Sequence, residues 1–387
     1  MGNSQSADEA RSIILSGDAP KLLPTSSVGE STGKPITCSG WICEGGRTPS
    51  AICNTSLSQI TVLTPGPTQI RVKIYAAGVN NADVNHLKSD LEERKLRRLS
   101  ATSACGADGA GVIESIGWSD PGECDLKVGD RVLFLADFFS AEGGTFCQYA
   151  VVDRDIVSKI PPQAESTLSF PEAGALPTAG GTAFVALFDK LRIQSGQSIF
   201  ISDATTDIGS VAVQLAHFYG LHVFASGPKS DLGFVKQLGA DTALDQNSNT
   251  LVKCILEESN NYGVDFVLEC GDAALAEEHS QVLRQGGSIC LVSGLLKPSC
   301  DLCVRNQYSI HYVSVHSMLH TALAKAQLRP LLDLLVQLHM EGAFRFPNLV
   351  QVPLARANNA LNFLANHHVR GKLVLTDFHE GQSSSTP

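Results

Sequence analysis

The sequence predicts an α/β protein in which a strand-rich first half is followed by a doubly wound parallel sheet. From about residue 35 to 170, short runs alternate apolar with polar residues between turn residues, as half-buried strands do. From about 175 to 325, apolar runs alternate with helical runs of about ten residues, the rhythm of strand–helix units that build a parallel sheet. The composition agrees: 387 residues, 43% hydrophobic and 18% charged, make a globular chain with room for two or three domains at roughly 150 residues each.

The formal charge of −10 argues against nucleic acid as a partner, which would call for a basic stripe. No apolar run reaches the roughly 18 residues of a membrane span, and no secretory signal opens the chain. The 11 cysteines are odd in number and scattered, which reads as reduced thiols of a cytoplasmic protein. Cys300 and Cys303 form the one close pair, and without a second pair they read as loop cysteines rather than a zinc ribbon.

Taken in order, residues 1–34 are rich in Ser, Gly, Pro and Asp and read as a flexible tail. Its start, Met1-Gly2-Asn3-Ser4-Gln5-Ser6, matches the N-myristoylation pattern with Gly2 as acceptor. No Cys precedes Cys38 and no Lys or Arg falls in the first ten residues, so a second membrane signal is missing. One acyl chain alone gives weak, reversible membrane contact.

Residues 70–75 alternate as a strand after the turn Pro65-Gly66-Pro67. Further strands are expected over 109–117, 128–134 and 143–151, forming small sheets or a barrel. The stretch 88–98, with five basic and three acidic residues, reads as a solvated amphipathic helix. In the second half, strands are expected over 198–202, 222–226, 264–269 and 288–292. Helices are expected over 208–219, closed by Gly220, and over 232–238, closed by Gly239. Another should stop before Gly286-Gly287. A helix over 328–340, an extended 350–352, a helix over 357–365 and a strand over 372–375 complete the chain.

Several segments, each weak alone, resemble in order and spacing the medium-chain dehydrogenase/reductase superfamily, specifically its quinone-oxidoreductase-like branch. They are Ala76-Ala77-Gly78-Val79-Asn80-Asn81-Ala82-Asp83, then Gly106-Ala107-Asp108-Gly109-Ala110-Gly111-Val112, then Val128-Gly129-Asp130-Arg131-Val132. Gly144 to Ala150, Leu238-Gly239-Ala240-Asp241 and Gly371-Lys372-Leu373-Val374-Leu375 follow. The resemblance spans roughly 35–377. It implies a GroES-like catalytic domain (35–170 and 328–378) split around a Rossmann domain (171–327), with a flexible tail at 379–387 and a nucleotide in the cleft. It also implies a homodimer through the sheet edge near 311–315.

The activity implied is NADPH-dependent, zinc-independent reduction of a small-molecule quinone or α,β-unsaturated carbonyl. Zinc-using relatives place ligands where this chain has Asn80, Ala107-Asp108 and a position near Thr178. Amide, methyl and hydroxyl groups cannot build the N/S site zinc needs, so no metal is expected. By the same resemblance, the candidate catalytic residues are Asn80, Asp83 and His86. Asn80 would donate to a substrate oxygen or the cofactor ribose, and Asp83 would hold Asn80 or its loop. His86 is either a proton donor or an exposed loop histidine.

The cofactor turn runs from Asp203 to Gly209. Thr205, Thr206, Ile208 and Gly209 would face the pyrophosphate, with Gly294 a further contact. Family members carry glycine at the positions of Asp203, Thr206 and Asp207, so bulk and negative charge stand where a pyrophosphate should approach. The second strand ends in Ala225-Ser226-Gly227-Pro228-Lys229 with no acid, which favours NADPH over NADH. Ser226 borders the ribose, and Lys229 either meets a 2′-phosphate or is a loop lysine. The degraded turn leaves an alternative: a catalytically weakened family member acting as a binding or membrane-associated scaffold.

The lipid assignment is checked by intact mass. Protein made in a eukaryotic host should carry a myristoyl adduct that Gly2→Ala abolishes, together with any membrane association. An unmodified mass removes the assignment.

Overall fold

The computed structural model describes residues 11–12, 14–16, 34–43, 55–88, 104–117, 125–137, 144–296 and 306–379. Gly2, the Cys300/Cys303 pair and, beyond Lys88, the charged stretch to Arg98 lie outside them. Among the described residues no helix is long and apolar enough to cross a membrane.

The first half is made of β1 (Ile36–Cys43), β2 (Thr55–Val62), β3 (Gln69–Val79), α1 (Asn81–Lys88), β4 (Asp108–Ile116), β5 (Arg131–Leu135), β6 (Tyr149–Asp153), β7 (Val157–Lys159) and α2 (Phe170–Phe184). Next come β8 (Ser198–Ile201), α3 (Asp207–Phe218), β9 (His222–Gly227), α4 (Leu232–Gln237), β10 (Thr242–Asp245), α5 (Leu251–Glu258), β11 (Val264–Glu269), β12 (Leu283–Leu291) and β13 (Ser309–Tyr312). The chain ends with α6 (Leu328–Met340), β14 (Leu349–Pro353), α7 (Ala357–Asn366) and β15 (Lys372–Thr376).

The second-half strands form one six-stranded sheet in the order β10-β9-β8-β11-β12-β13, parallel throughout. Strands of the first half and the end of the chain form a seven-stranded sheet in the order β14-β15-β3-β4-β5-β7, with β6 also paired to β3. The last strand, β15, pairs antiparallel with β3, and all five of its residues are buried. The chain therefore returns to its first sheet after completing the parallel one. β1 and β2 pair separately.

The helix α2 is absent from the sequence expectation. Pro171, Pro177 and three glycines weaken its propensity, and a helix buried on all sides shows no apolar stripe; Ala173 through Ala183 are all buried. Its start was nonetheless written in a capping box, with Ser169 and Glu172 bonding reciprocally.

Other expectations need correction. The helix before Gly286-Gly287 is a single turn, Ala276–His279. Both glycines lie inside β12, where Gly286 takes φ 74° and the pairing with β11 shifts register, as glycines at strand irregularities do. The strand expected over 143–151 begins only at Tyr149, because Gly144 turns at φ 122° against the Ala104 carbonyl. Residues assigned to tails are also packed. Ile14 is buried, its carbonyl accepts from Asn359 (3.1 Å), and the Ser16 carbonyl accepts from Arg356 (2.8 Å). His379 lies 3.0 Å from the Ile74 carbonyl.

Gly78 lets β3 approach both α2 and Asp108. A Cβ there would stand 2.6 Å from the Gly174 carbonyl and 2.8 Å from the Asp108 carboxylate. Gly78→Ala should therefore cost about 1–3 kcal/mol in urea unfolding. An unchanged midpoint would contradict this packing.

Candidate functional site

The two sheets meet where β15 begins. Lys372 opens that strand with its side chain turned inward, 1% exposed. A buried ammonium needs acceptors on every side, and three distant segments supply them. Asn80, at the end of β3, accepts from Lys372 through Oδ1. Asp207, the first residue of α3, pairs with it through Oδ2 at 2.7 Å. Asp108, at the start of β4, stands at 3.9 Å. The network continues. Asn80 Nδ2 donates to Asp108 Oδ2 (3.1 Å), while Thr178 of α2 donates to Asp108 Oδ1 from its hydroxyl (2.6 Å) and its amide (3.1 Å). The Thr178 hydroxyl also lies 3.1 Å from His316 Nε2.

Of these groups Asn80, Thr178, Asp207, His316 and Lys372 line a cavity of about 360 Å³, together with Thr182, Asp203, Ile208, Cys270, Ser293 and His368. That is the small end of the roughly 300–1,000 Å³ range of ligand pockets. A larger, shallower groove between α5 and the Ala276–His279 turn has no such convergence of buried polar groups.

Burial sets the protonation of this site. It pushes the Asp83 carboxyl up to about 7, with the nearby Asp108 charge adding to the effect. It pushes Asp108 up to about 6, against the pull of Lys372. Burial and then the Lys372 charge push His316 down to about 4, so near neutral pH its imidazole is uncharged.

Of the predicted residues, Asn80 and Asp83 meet here. The Asn80 amide donates to Asp83 Oδ2 (2.7 Å), so Asp83 fixes the backbone that presents Asn80. Asp83 is itself 1% exposed and acts from behind the cavity wall. His86 lies in α1. Thr206 and Ile208 line the cavity, whereas Lys229 and Gly294 are exposed and away from its lining. Thr205 is buried, its hydroxyl 2.8 Å from His368 Nε2. Ser226 faces inward, accepting from the Asp203 amide (3.3 Å). Sequence reasoning missed Lys372, His316 and the bond-forming role of Thr178. The Gly371-Lys372 match marked the lysine and the zinc-ligand comparison marked the Thr178 position, but neither pointed to these bonds.

The groups present do not fit a pyrophosphate. A phosphate at a helix N-terminus needs free amides, and here the turn's own side chains take them. The Ile208 amide donates to Asp207 Oδ1 (2.9 Å), and the Gly209 amide to Thr206 Oγ1 (3.2 Å). Asp203 sits in the left-handed region at φ 48°, uncommon for a side-chain-bearing residue. Burial raises its pKa, partly opposed by His368. Zinc fits no better. Asn80, Ala107 and Thr178 offer no suitable ligand, and an ammonium already stands among the oxygens. Among the described residues no group of three His, Cys, Asp or Glu side chains is placed to share a metal.

The raised carboxylates predict a pH dependence. Between its ordinary 3.8 and about 7, Asp83 keeps in the folded state a proton that the unfolded chain releases. Its contribution is thus fully present below 3.8 and lost as pH rises through the folded value. Asp83→Asn keeps an acceptor for the Asn80 amide and removes the titration. Urea unfolding across this window should show wild type losing stability relative to the variant, on the order of 1 kcal/mol per pH unit. Buried His316 and His379, both held near 4, act in the opposite sense but cancel in the comparison. Parallel pH profiles would refute the assignment.

Comparison with known proteins agrees with this architecture. Residues 66–162 match the family model described as alcohol dehydrogenase GroES-like domain, and 208–337 the one described as zinc-binding dehydrogenase. A mycocerosic acid synthase-like polyketide synthase of Mycobacterium tuberculosis is 26% identical over 341 residues, 87% of this chain and 15% of that protein. The chain thus spans about 15% of the length of the first curated relatives it matches. A quinone oxidoreductase-like protein 2 homolog of Nematostella vectensis is 25% identical, covering 80% of this chain and 82% of its own. The crystal structure of an alcohol dehydrogenase superfamily protein from Novosphingobium aromaticivorans superposes with a TM-score of 0.76 at 24% identity, covering 88% of this chain and 99% of that one. With both lobes matched, and the closing strand β15 returned to the first sheet, the chain belongs to the medium-chain dehydrogenase/reductase superfamily.

Proposed function

We propose that this chain keeps the reductase fold as a binding protein for a small oxygen-bearing molecule of quinone or enone type, and that it has no NADPH affinity tighter than millimolar. The observation that carries this reading is the turn at α3, whose Ile208 and Gly209 amides are bonded to Asp207 and Thr206. What remains open is a cavity of about 360 Å³. Asn81 and Asn85, exposed in its lining, offer side-chain amides to a ligand oxygen there.

A second reading, an NADPH-dependent quinone or enone reductase, is favoured by the end of β9, where no acid stands and Lys229 is exposed. In that reading a nicotinamide would supply the hydride, and Asn80 and Thr178 would orient the acceptor.

Titration with NADPH, followed by nicotinamide fluorescence, separates the two. The binding-protein reading expects no enhancement into the millimolar range. Micromolar affinity would return the chain to the reductases.

A further inference from the structure

The segment from His368 to Lys372 straps the seven-stranded sheet onto the turn at α3. His368 Nε2 lies 2.8 Å from the Thr205 hydroxyl and 3.5 Å from Asp203 Oδ1. Arg370 pairs with Asp231 at 2.9 Å. The Gly371 amide donates to the Thr205 carbonyl at 2.9 Å, and Lys372 reaches Asp207 at 2.7 Å. The strap thereby delivers a buried cation to a helix N-terminus.

A cation beside free helix amides is what binds a phosphate. Here one side chain uses up both halves of that arrangement. Asp207 Oδ1 accepts from the Ile208 amide, while Oδ2 pairs with Lys372. The carboxylate stands as an internal anion in the place a ligand's phosphate would take. A phosphate could enter only by displacing a tethered competitor whose partner is 1% exposed, and it would meet the carboxylate's like charge on the way.

We infer that Asp207 determines the ligand class of this cleft: bonded to Lys372 and to its own helix, it excludes phosphate-bearing ligands and reserves the cavity for phosphate-free ones. The inference rests on the binding-protein reading above and adds its cause. Asp207 is the specificity determinant, and Lys372 is a latent phosphate-binding group.

The test compares wild type, Asp207→Gly, Asp207→Asn and the double variant Asp207→Gly with Lys372→Met. Each is titrated calorimetrically with NADPH and with inorganic pyrophosphate, and each fold is checked by thermal melting. Removing the carboxylate frees an amide and a cation and deletes one repulsive charge. Asp207→Gly should therefore bind both probes at least about tenfold tighter than wild type, with an affinity that falls as salt rises. Asp207→Asn, which keeps a capping oxygen but loses the charge, should gain less. The double variant should lose the gain.

A folded Asp207→Gly that binds neither probe, beside a silent wild type, overturns the inference and leaves the binding-protein reading standing. If Asp207→Gly does not fold, a silent Asp207→Asn overturns it equally. A gain that survives Lys372→Met also overturns it, because the pair would not then be what blocks the site. Micromolar NADPH binding by wild type refutes the underlying reading itself.

Discussion

Lys372 is an ammonium withdrawn from water at the seam between two sheets, and the geometry of the seam follows from its needs. An unpaired buried charge would be intolerable, so the fold must bring acceptors to it from every direction. They come from the end of β3, the start of β4 and the first turn of α3. Because each belongs to a different segment, the ammonium sets the relation between the seven-stranded and the six-stranded sheet. α2 completes the arrangement from above by handing Thr178 to Asp108. The close approach at Gly78 permits that contact.

The site is organised by an ammonium rather than a metal ion, and the two differ in what they do to protons. A metal would hold its ligands deprotonated. An ammonium sharing two carboxylates and an amide leaves room for protons, and burial pushes Asp83 and Asp108 toward neutral pKa values. The site is therefore a proton-holding network with an uncharged imidazole, His316, at its outer end. Such a network suits hydrogen-bond recognition of oxygen. Elsewhere, at the end of β11, a second buried pair, Glu269 with His279 at 2.6 Å, packs through His279 against Phe200 of the parallel-sheet core and anchors the Gly271 amide (3.0 Å).

The α3 turn shows a trade between internal satisfaction and ligand binding. Helix N-termini that bind anions keep their amides available and rely on glycine for close approach. This turn caps itself with Thr206 and Asp207, ties itself to β15 through the Gly371 amide, and carries a side chain at Asp203 in the left-handed region. The caps and the tie to Gly371 stabilise the turn by giving polar groups their partners, as buried groups require. The caps also take the Ile208 and Gly209 amides that a phosphate at this helix would need.

Much of the fold was legible because the patterns that specify it are local. The alternation of 70–75 and the apolar runs of β8, β9 and β11 announce strands through their own spacing. So do the periodic helices closed by Gly220 and Gly239. The missing zinc ligands and the crowded turn could be seen residue by residue. The helix α2 escaped because a segment buried on all faces has no stripe to read, although its capping box was written at Ser169 and Glu172. The packing of Ile14 escaped because its partners, Asn359 and Arg356, lie at the other end of the chain. Only tertiary structure decided the site. Asn80 and Asp108 are 28 residues apart, Lys372 and Asp207 are 165 apart, and Lys372 and Asn80 are 292 apart. The sequence by itself determined that a lysine begins the last strand and that an aspartate begins the helix after the first parallel strand. That the two neutralise each other, and so fill a phosphate site from within, follows only once the chain has returned to its first sheet. Charge pairing depends on distance in space, which spacing along the chain does not encode.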